Sequence, residues 1–405
     1  MTVQTPQKCL GLAPLLRFNL AGEELAPLCQ LLIQRATENP DDAASLLDAG
    51  IVFQFHGDPV MAQNLQQEAL KLCRHYWIPA ARPARLRLLA LVAPGELMGN
   101  VPIECLLEDS DIELHLLFVT DAALDPADIP EHDVLFVAIG DSERNRQILA
   151  EWQARLAHWP KPVLNGPPAA ERVKRDTAAR LLADLPGVAM PPTLRVDRPS
   201  LQRLADGEAP EAVFPPGIRF PLLLRPFDSQ AGRDLYKIET PAELADILGK
   251  LSGDGFYLSS FIDYSSADGQ FRKFRVILVD GRPYACHMGI SDHWMIHYLN
   301  AGMANSPTKR AEEAQFMADF DSGFAVRHGE ALAAIHRAIG LDYLGIDCAE
   351  TQDGRLLVFE VDPAMVVHAM DPVDVYPYKP ANMQKIFAAF RAMLIERAER
   401  HAATV

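Results

Sequence analysis

The fold is decided by one stretch: Gly345-Ile346-Asp347-Cys348-Ala349-Glu350-Thr351, then Gln352-Asp353-Gly354-Arg355, then Leu356-Leu357-Val358-Phe359-Glu360-Val361-Asp362. Two β-patterned runs flank an Asp-Gly pair, the strongest short-range hairpin signal. A two-residue turn at 353–354 places Asp347 directly across from Glu360. Period-2 alternation adds Asp362 to that face and turns Phe359 and Val361 to the other. Carboxylates facing each other across strands repel, because paired Cβ atoms lie only ~4.5–5.5 Å apart. A cation among them removes the cost, and hard oxygen donors on rigid strands suit Mg²⁺. The plainer alternative is a solvated acidic strip on an edge strand.

Working outward, a second Asp-Gly hairpin precedes it, at Asp280-Gly281. Along Arg272-Lys273-Phe274-Arg275-Val276-Ile277-Leu278-Val279, Lys273 and Arg275 share one face. Two basic residues on a strand can be merely solvated, but beside a carboxylate hairpin they suit phosphate oxygens, which Arg clamps in a bidentate fork. Further upstream, Arg225-Pro226-Phe227-Asp228-Ser229-Gln230-Ala231-Gly232-Arg233 runs from a strand-ending cation into a loop whose backbone amides are free to face phosphate. A plain turn is the alternative there. The strand pair is read at 220–227 and 234–239, with a helix at 241–250, and a last helix runs from Pro380 to His401.

The middle of the chain, 84–165, alternates short apolar runs (85–92, 112–119, 133–140, 163–165) with helical stretches (101–109, 142–158), the pattern of a parallel α/β sheet. It lacks G-x-G-x-x-G, which argues against a dinucleotide site. The first 80 residues are helical in pattern, with Leu25, Leu28, Leu31 and Leu32 at helical spacing and breaks at Asn39-Pro40-Asp41-Asp42 and Gly57-Asp58-Pro59. Helix, tight turn, helix resembles one tetratricopeptide-type hairpin. One unit cannot bury its own apolar face, so it is read as an extension packed on the rest, with peptide binding as the alternative.

The order of these elements resembles the ATP-grasp superfamily, which includes D-alanine–D-alanine ligase and the enzyme adding glutamate to a ribosomal protein. The resemblance covers about 165–375. It implies an α/β (α+β) ATP-grasp fold with an N-terminal α/β domain and a helical extension. The expected divisions are 1–82 for the extension, 83–165 for the α/β domain and 166–405 for the ATP-grasp domain, with a lid subdomain at about 190–262 and a catalytic part at 263–405. By resemblance, Lys174 and Arg225 contact the nucleotide, and the loop from Asp228 to Arg233, with Ser229 and Gly232, covers the phosphates. The segment Phe256 to Asp263, with Ser260 and Asp263, cradles adenosine. Lys273 and Arg275 serve catalysis near the γ-phosphate, and Asp347, Glu360 and Asp362 hold Mg²⁺, with Mn²⁺ as an alternative. Asp362 stands where Asn is usual, and Arg225 where Lys is commoner. The implied activity is ATP-dependent amide formation between a carboxylate and an amine, amino acid or peptide, through an acylphosphate. A non-catalytic nucleotide-binding scaffold and a small-molecule kinase are the competing readings.

His287 and the run Ser291-Asp292-His293-Trp294-Met295-Ile296-His297-Tyr298 are read as lining the acceptor pocket, with His368 bordering it. A His-x-x-x-His zinc site on a helix and buried structural histidines are the alternatives. The polar segment 300–320, interrupted by Pro307, reads as a loop over the site.

The 405 residues carry a formal charge of −16, which argues against a nucleic-acid partner, since phosphate backbones are met by basic surfaces. Any polyanion must be held by a few placed cations. Six scattered cysteines without a C-x-x-C pair read as reduced thiols. No signal peptide and no run of ~18–20 apolar residues is evident, so the expected location is cytoplasmic, with no membrane partner. The expected partners are the carboxylate and amine substrates, and a homodimer is left open.

Overall fold

The computed structural model describes residues 5–120, 128–227, 229 and 232–404. Three sheets organise the chain. The first contains β1 (Gln7–Lys8), β2 (His75–Ile78), β3 (Leu86–Val92), β4 (Ile112–Phe118), β5 (Val134–Val137) and β6 (Val163–Leu164), in the order β1-β2-β4-β3-β5-β6. The four strands read from the middle zone run parallel as expected, and β2 joins them antiparallel to β4. β7 (Val188–Ala189) crosses to the third sheet. The second sheet is β8 (Thr193–Asp197), β9 (Leu222–Pro226), β10 (Tyr236–Ile238) and β11 (Gly255–Ser260), in the order β10-β9-β11-β8. The third adds β12 (Phe271–Val279), β13 (Arg282–Ser291), β14 (Tyr343–Glu350) and β15 (Leu356–Asp362), in the order β13-β12-β14-β15-β7.

Four helices lie between β1 and β2: α1 (Leu12–Leu20), α2 (Ala26–Glu38), α3 (Ala43–Phe55) and α4 (Pro59–Leu72). The two breaks in the sequence are helix starts. Asp42 accepts from Ser45 N–H and Asp58 from Met61 N–H, each satisfying an amide that the first turn leaves unpaired, a contribution of about 1 kcal/mol. Because β1 and β2 both enter the first sheet, the helices are tied to it at both ends. Leu47, Ala69 and Leu70 share a core with Leu88, Leu114 and Phe136.

The same core runs on into the third sheet. Phe390, on the helix Lys379–Ala402, meets Phe136 of β5 at 5.6 Å and Tyr343 of β14 at 5.3 Å, both edge to face. A clasp aligns the two sheets: Asn165, just past β6, donates its amide to Tyr343 C=O at 2.8 Å and accepts Tyr343 N–H at 2.9 Å. The second sheet instead has its own apolar layer, built on Leu222, Leu224, Phe256 and Leu258 with the helices Arg198–Ala205 and Pro241–Leu248.

Segment 300–320 differs from the loop expected. Pro307 opens a helix, Pro307–Ala318, whose first turn is capped by Ser306. Proline is tolerated at that position because its missing N–H would have no partner there. Glu313 and Met317 are buried on it, and Phe320 is buried just past its end. No helix among the described residues is long and apolar enough to cross a membrane.

Candidate functional site

Strand register builds the site. Arg275 on β12 is paired with His287 on β13 and, on its other side, with Asp347 on β14, which is paired with Glu360 on β15. Directly paired residues share a face, so His287, Arg275, Asp347 and Glu360 form one row across four strands. The facing of Asp347 and Glu360 is expected from a two-residue turn, yet the turn is wider. Thr351 N–H bonds Arg355 C=O at 2.9 Å, and Glu350 pairs with Leu356. A bulge at Phe359 takes up the difference and restores Asp347 to Glu360. The bulge also moves Phe359 off the face it was assigned. Its ring lies 5.0 Å from Tyr264, in a cluster with Ala349 and Leu357 beside the site.

Asp347 is fully buried and both its oxygens are taken. Arg275 donates through Nε at 2.8 Å and Nη2 at 3.0 Å, and Lys273 Nζ lies 2.6 Å away. Burial pushes the Asp347 carboxyl up, but Arg275 and Lys273 outweigh it and hold the group well below the ordinary carboxylate range. Burial likewise works against the charge of Arg275, and Asp347 more than compensates, so the guanidinium stays protonated. Arg275 Nη1 also donates to Val366 C=O at 3.3 Å, which ties the chain beyond β15 to the row.

Glu360 pairs with Arg175. Its carboxyl is raised by burial, yet Arg175, helped by Lys273 and Arg225, brings it below its ordinary value. Asp362 is paired with no cation among the described residues, although Arg175 and Arg275 act on it from farther off. Burial first, then the like charge of Glu360, push it up to about 7, against the hydrogen bond from Ala364 N–H at 2.8 Å and the weaker pull of Arg175 and Arg275. It faces Gly345, where a side chain is excluded: a Cβ there would stand 2.6 Å from Met365 Sδ and 2.8 Å from Asp362 C=O.

Arg225, the next-to-last residue of β9, lies beside this group. Its charge is disfavoured by burial and then by Arg175, down to about 10, and its Nε–H is buried without a hydrogen-bond partner among the described residues. Its Nη2 donates to Ser229 C=O, and Ser229 Oγ donates to Arg233 C=O, which folds the loop onto itself. Gly232 takes φ +73°, and a Cβ on it would stand 2.8 Å from Met295 Sδ, so the loop abuts the segment bearing His293. Asp228 and two further residues of this loop lie outside the described residues.

The structure therefore gathers Lys273, Arg275, Arg225, Asp347, Glu360, Asp362 and His287. Lys174, Ser260, Asp263 and His293 make no hydrogen bond or ion pair with them among the described residues. Lys174 pairs with Glu171 at 3.4 Å, whereas the next residue, Arg175, reaches Glu360. Sequence reasoning missed Arg175, since adjacent cations at a helix start look alike until the helix Arg175–Leu182 sets which one turns inward. The Ser260 hydroxyl accepts Arg219 N–H at 2.8 Å and donates to Gly217 C=O at 3.0 Å within the second sheet's own layer. Asp263 is exposed and accepts Ser265 N–H at 2.9 Å. His293 accepts Met295 N–H at 3.2 Å, and no helix spans it and His297, so the zinc alternative loses its geometry.

His287 is held neutral, first by burial and then by Arg275, and its ring packs on Tyr298 at 4.6 Å. His297 is lowered by burial and then by Lys273. His368 is lowered by burial and accepts Met370 N–H at 3.2 Å on the chain tied to Arg275.

Among the described residues, no group of three His, Cys, Asp or Glu side chains is close enough to hold a metal ion. Of the expected trio, Asp347 is engaged here by Arg275 and Lys273. Glu360 and Asp362, two apart on one strand, fit a hard divalent cation. Arg175 takes one Glu360 oxygen and Ala364 N–H one Asp362 oxygen, and a divalent cation would relieve the like-charge repulsion that raises Asp362.

No protein family's sequence profile matches this chain, and no curated protein does. Solved structures similar to it include D-alanine–D-alanine ligase from Bacillus anthracis complexed with ATP, at 14% identity over 78% of this chain and 97% of that one, with a TM-score of 0.44. VanG D-Ala:D-Ser ligase from Enterococcus faecalis is 12% identical over 76% and 99%, with a TM-score of 0.46. An ATP-grasp RimK domain protein from Sphaerobacter thermophilus is 18% identical over 75% and 98%, with a TM-score of 0.39.

Proposed function

We propose that this chain is an ATP-dependent ligase of the ATP-grasp kind, which joins a carboxylate to an amine and releases ADP and phosphate. The observation that carries the reading is the charged row. Lys273, Arg275, Arg175 and Arg225 converge on Asp347, Glu360 and Asp362, so cations outnumber carboxylates inside a protein of net charge −16. A surplus of partly buried positive charge, with an Arg225 Nε–H that has no hydrogen-bond partner among the described residues, suits a polyphosphate.

Each residue then has a task. Phosphoryl transfer needs positioning and charge neutralisation more than covalent chemistry from the protein. Lys273 and Arg275, held in place by Asp347, neutralise charge as the substrate carboxylate oxygen attacks the γ-phosphorus and its bond to the bridging oxygen of ADP breaks. Arg225 and Arg175 serve the phosphates farther from the row, with Lys174 beside them. Glu360 and Asp362 would hold Mg²⁺, which supplies further charge neutralisation when bound. The amine displaces phosphate from the acylphosphate and leaves an amide. His287, His297 and His368, neutral at pH 7, border the acceptor side without adding charge.

The test is a screen of carboxylate and amine pairs for ADP release, with calorimetry of Mg·ATP binding beside it. Glu360→Gln is expected to abolish turnover, and Arg175→Ala to weaken ATP binding. Failure of the wild-type protein to bind Mg·ATP defeats the reading, and a phosphorylated product without a coupled amine turns it into a kinase.

A further inference from the structure

The charged row does not stop at His287. Tyr298 packs on that imidazole, and the Tyr298 hydroxyl enters a buried network. It donates to Glu313 Oε2 at 2.9 Å and accepts from Lys379 Nζ at 2.6 Å. Glu313 is inaccessible to solvent and also accepts Tyr378 O–H at 2.6 Å and Met288 N–H at 3.0 Å, the latter from the residue after His287. Lys379 is 4% exposed and donates to Asp371 at 3.1 Å, with Tyr298 and Tyr376 rings 4.1 and 4.3 Å from its ammonium.

This is an unfavourable place for a lysine. It opens the 24-residue helix Lys379–Ala402, where the dipole already presents positive charge, and it lies out of water. Buried ion pairs of this kind are often no more stabilising than apolar residues of similar volume. What the network does is fix a ring. Two separate elements, the helix carrying Glu313 and the start of the C-terminal helix, meet at one hydroxyl, Asp371 holds the Lys379 ammonium that reaches it, and the Tyr298 ring packs on His287.

We propose that Glu313, Lys379 and Tyr298 are positioning residues, which hold His287 against Arg275 and so set where the guanidinium meets phosphate. The role assigned to Arg275 rests on the ligase reading above. The link from the network to His287 does not.

Tyr298→Phe is the sharp variant, because it keeps the ring and removes only the hydroxyl. Two readouts apply to the full-length protein: the imidazole signals of ¹³C-histidine-labelled protein, with His287 assigned through His287→Gln, and calorimetry with the Mg²⁺ complex of a non-hydrolysable ATP analogue. Expected are a shifted or broadened His287 signal and an analogue affinity weakened about fivefold, the equivalent of one ordinary hydrogen bond. Glu313→Gln should shift the same signal. An unchanged His287 signal in both variants, with only the melting temperature lowered, overturns the proposal. If the wild-type protein binds no analogue, the ligase reading fails, while the His287 signal still decides the positioning role.

Discussion

Arg275 clamps Asp347 through two hydrogen bonds, at 2.8 and 3.0 Å, across the paired strands β12 and β14. Both groups are almost out of water, so each charge relies on the other. Removing one partner of such a pair costs more than the pair contributes, because the remaining charge is left buried, typically by about 3–5 kcal/mol. Arg275→Ala should therefore lower the urea midpoint strongly. Arg275→Lys should lose less stability but still lose the fork, and with it nucleotide affinity in calorimetry. Asp347→Asn should act in the same direction by leaving two cations unneutralised.

Gly345→Ala tests the close approach of β14 and β15. The new methyl group would meet Met365 Sδ and the Asp362 carbonyl, and only the thioether can move aside. An overpacked site of this kind typically loses about 1–3 kcal/mol. The expected result is a lowered melting temperature, together with a loss of Mg·ATP affinity larger than a remote substitution of equal destabilisation produces.

How much of this was legible depends on what each signal measures. Cross-strand placement of Asp347 and Glu360 was readable because period-2 geometry and an Asp-Gly turn leave few registers, although a wider turn and a bulge at Phe359 produced it together. The parallel order of β3 to β6 was readable from apolar runs. Arg175 was not, since a helix start hides which of two adjacent cations turns inward. The helix Pro307–Ala318 was hidden by reading Pro307 as a breaker, although Ser306 before it and the spacing of Glu313, Met317 and Phe320 were helical signals. The network at Lys379 unites residues from three distant segments, and no local pattern announces that.

The N-terminal helices should respond to pH. Asp48 accepts Leu10 and Gly11 N–H at 2.8 and 3.0 Å, and Glu104 accepts Ala13 N–H at 3.1 Å, so two buried carboxyls hold the start of α1. Burial raises Asp48 from 3.8 to about 6 and Glu104 from 4.5 to about 7. Between those values the folded chain keeps protons that the unfolded chain releases. Stability therefore falls as pH rises, through 3.8–6 for Asp48 and 4.5–7 for Glu104, by an amount on the order of 3 kcal/mol each. Urea midpoints at pH 5 and pH 8 should show the fall, and Asp48→Asn and Glu104→Gln should each flatten it. A wild-type midpoint that rises over this range contradicts the assignment.

The metal reading makes a demand on stability that needs no substrate. If Glu360 and Asp362 hold Mg²⁺, the ion binds the folded chain and not the unfolded one, and it raises the melting temperature as its concentration passes the dissociation constant. Two buried carboxylates that repel also gain more from the cation than exposed ones would, since the ion removes their mutual repulsion. Glu360→Gln should abolish the Mg²⁺-dependent rise. Asp362→Asn should reduce it while raising stability without metal, because one of two like charges is gone and the oxygen that accepts Ala364 N–H is kept. Asp347→Asn separates this arrangement from one in which all three carboxylates bind the ion. It should lower stability with and without Mg²⁺ by the same amount, since Asp347 serves Arg275 and Lys273. Loss of the Mg²⁺ effect in Asp347→Asn would return that residue to the metal.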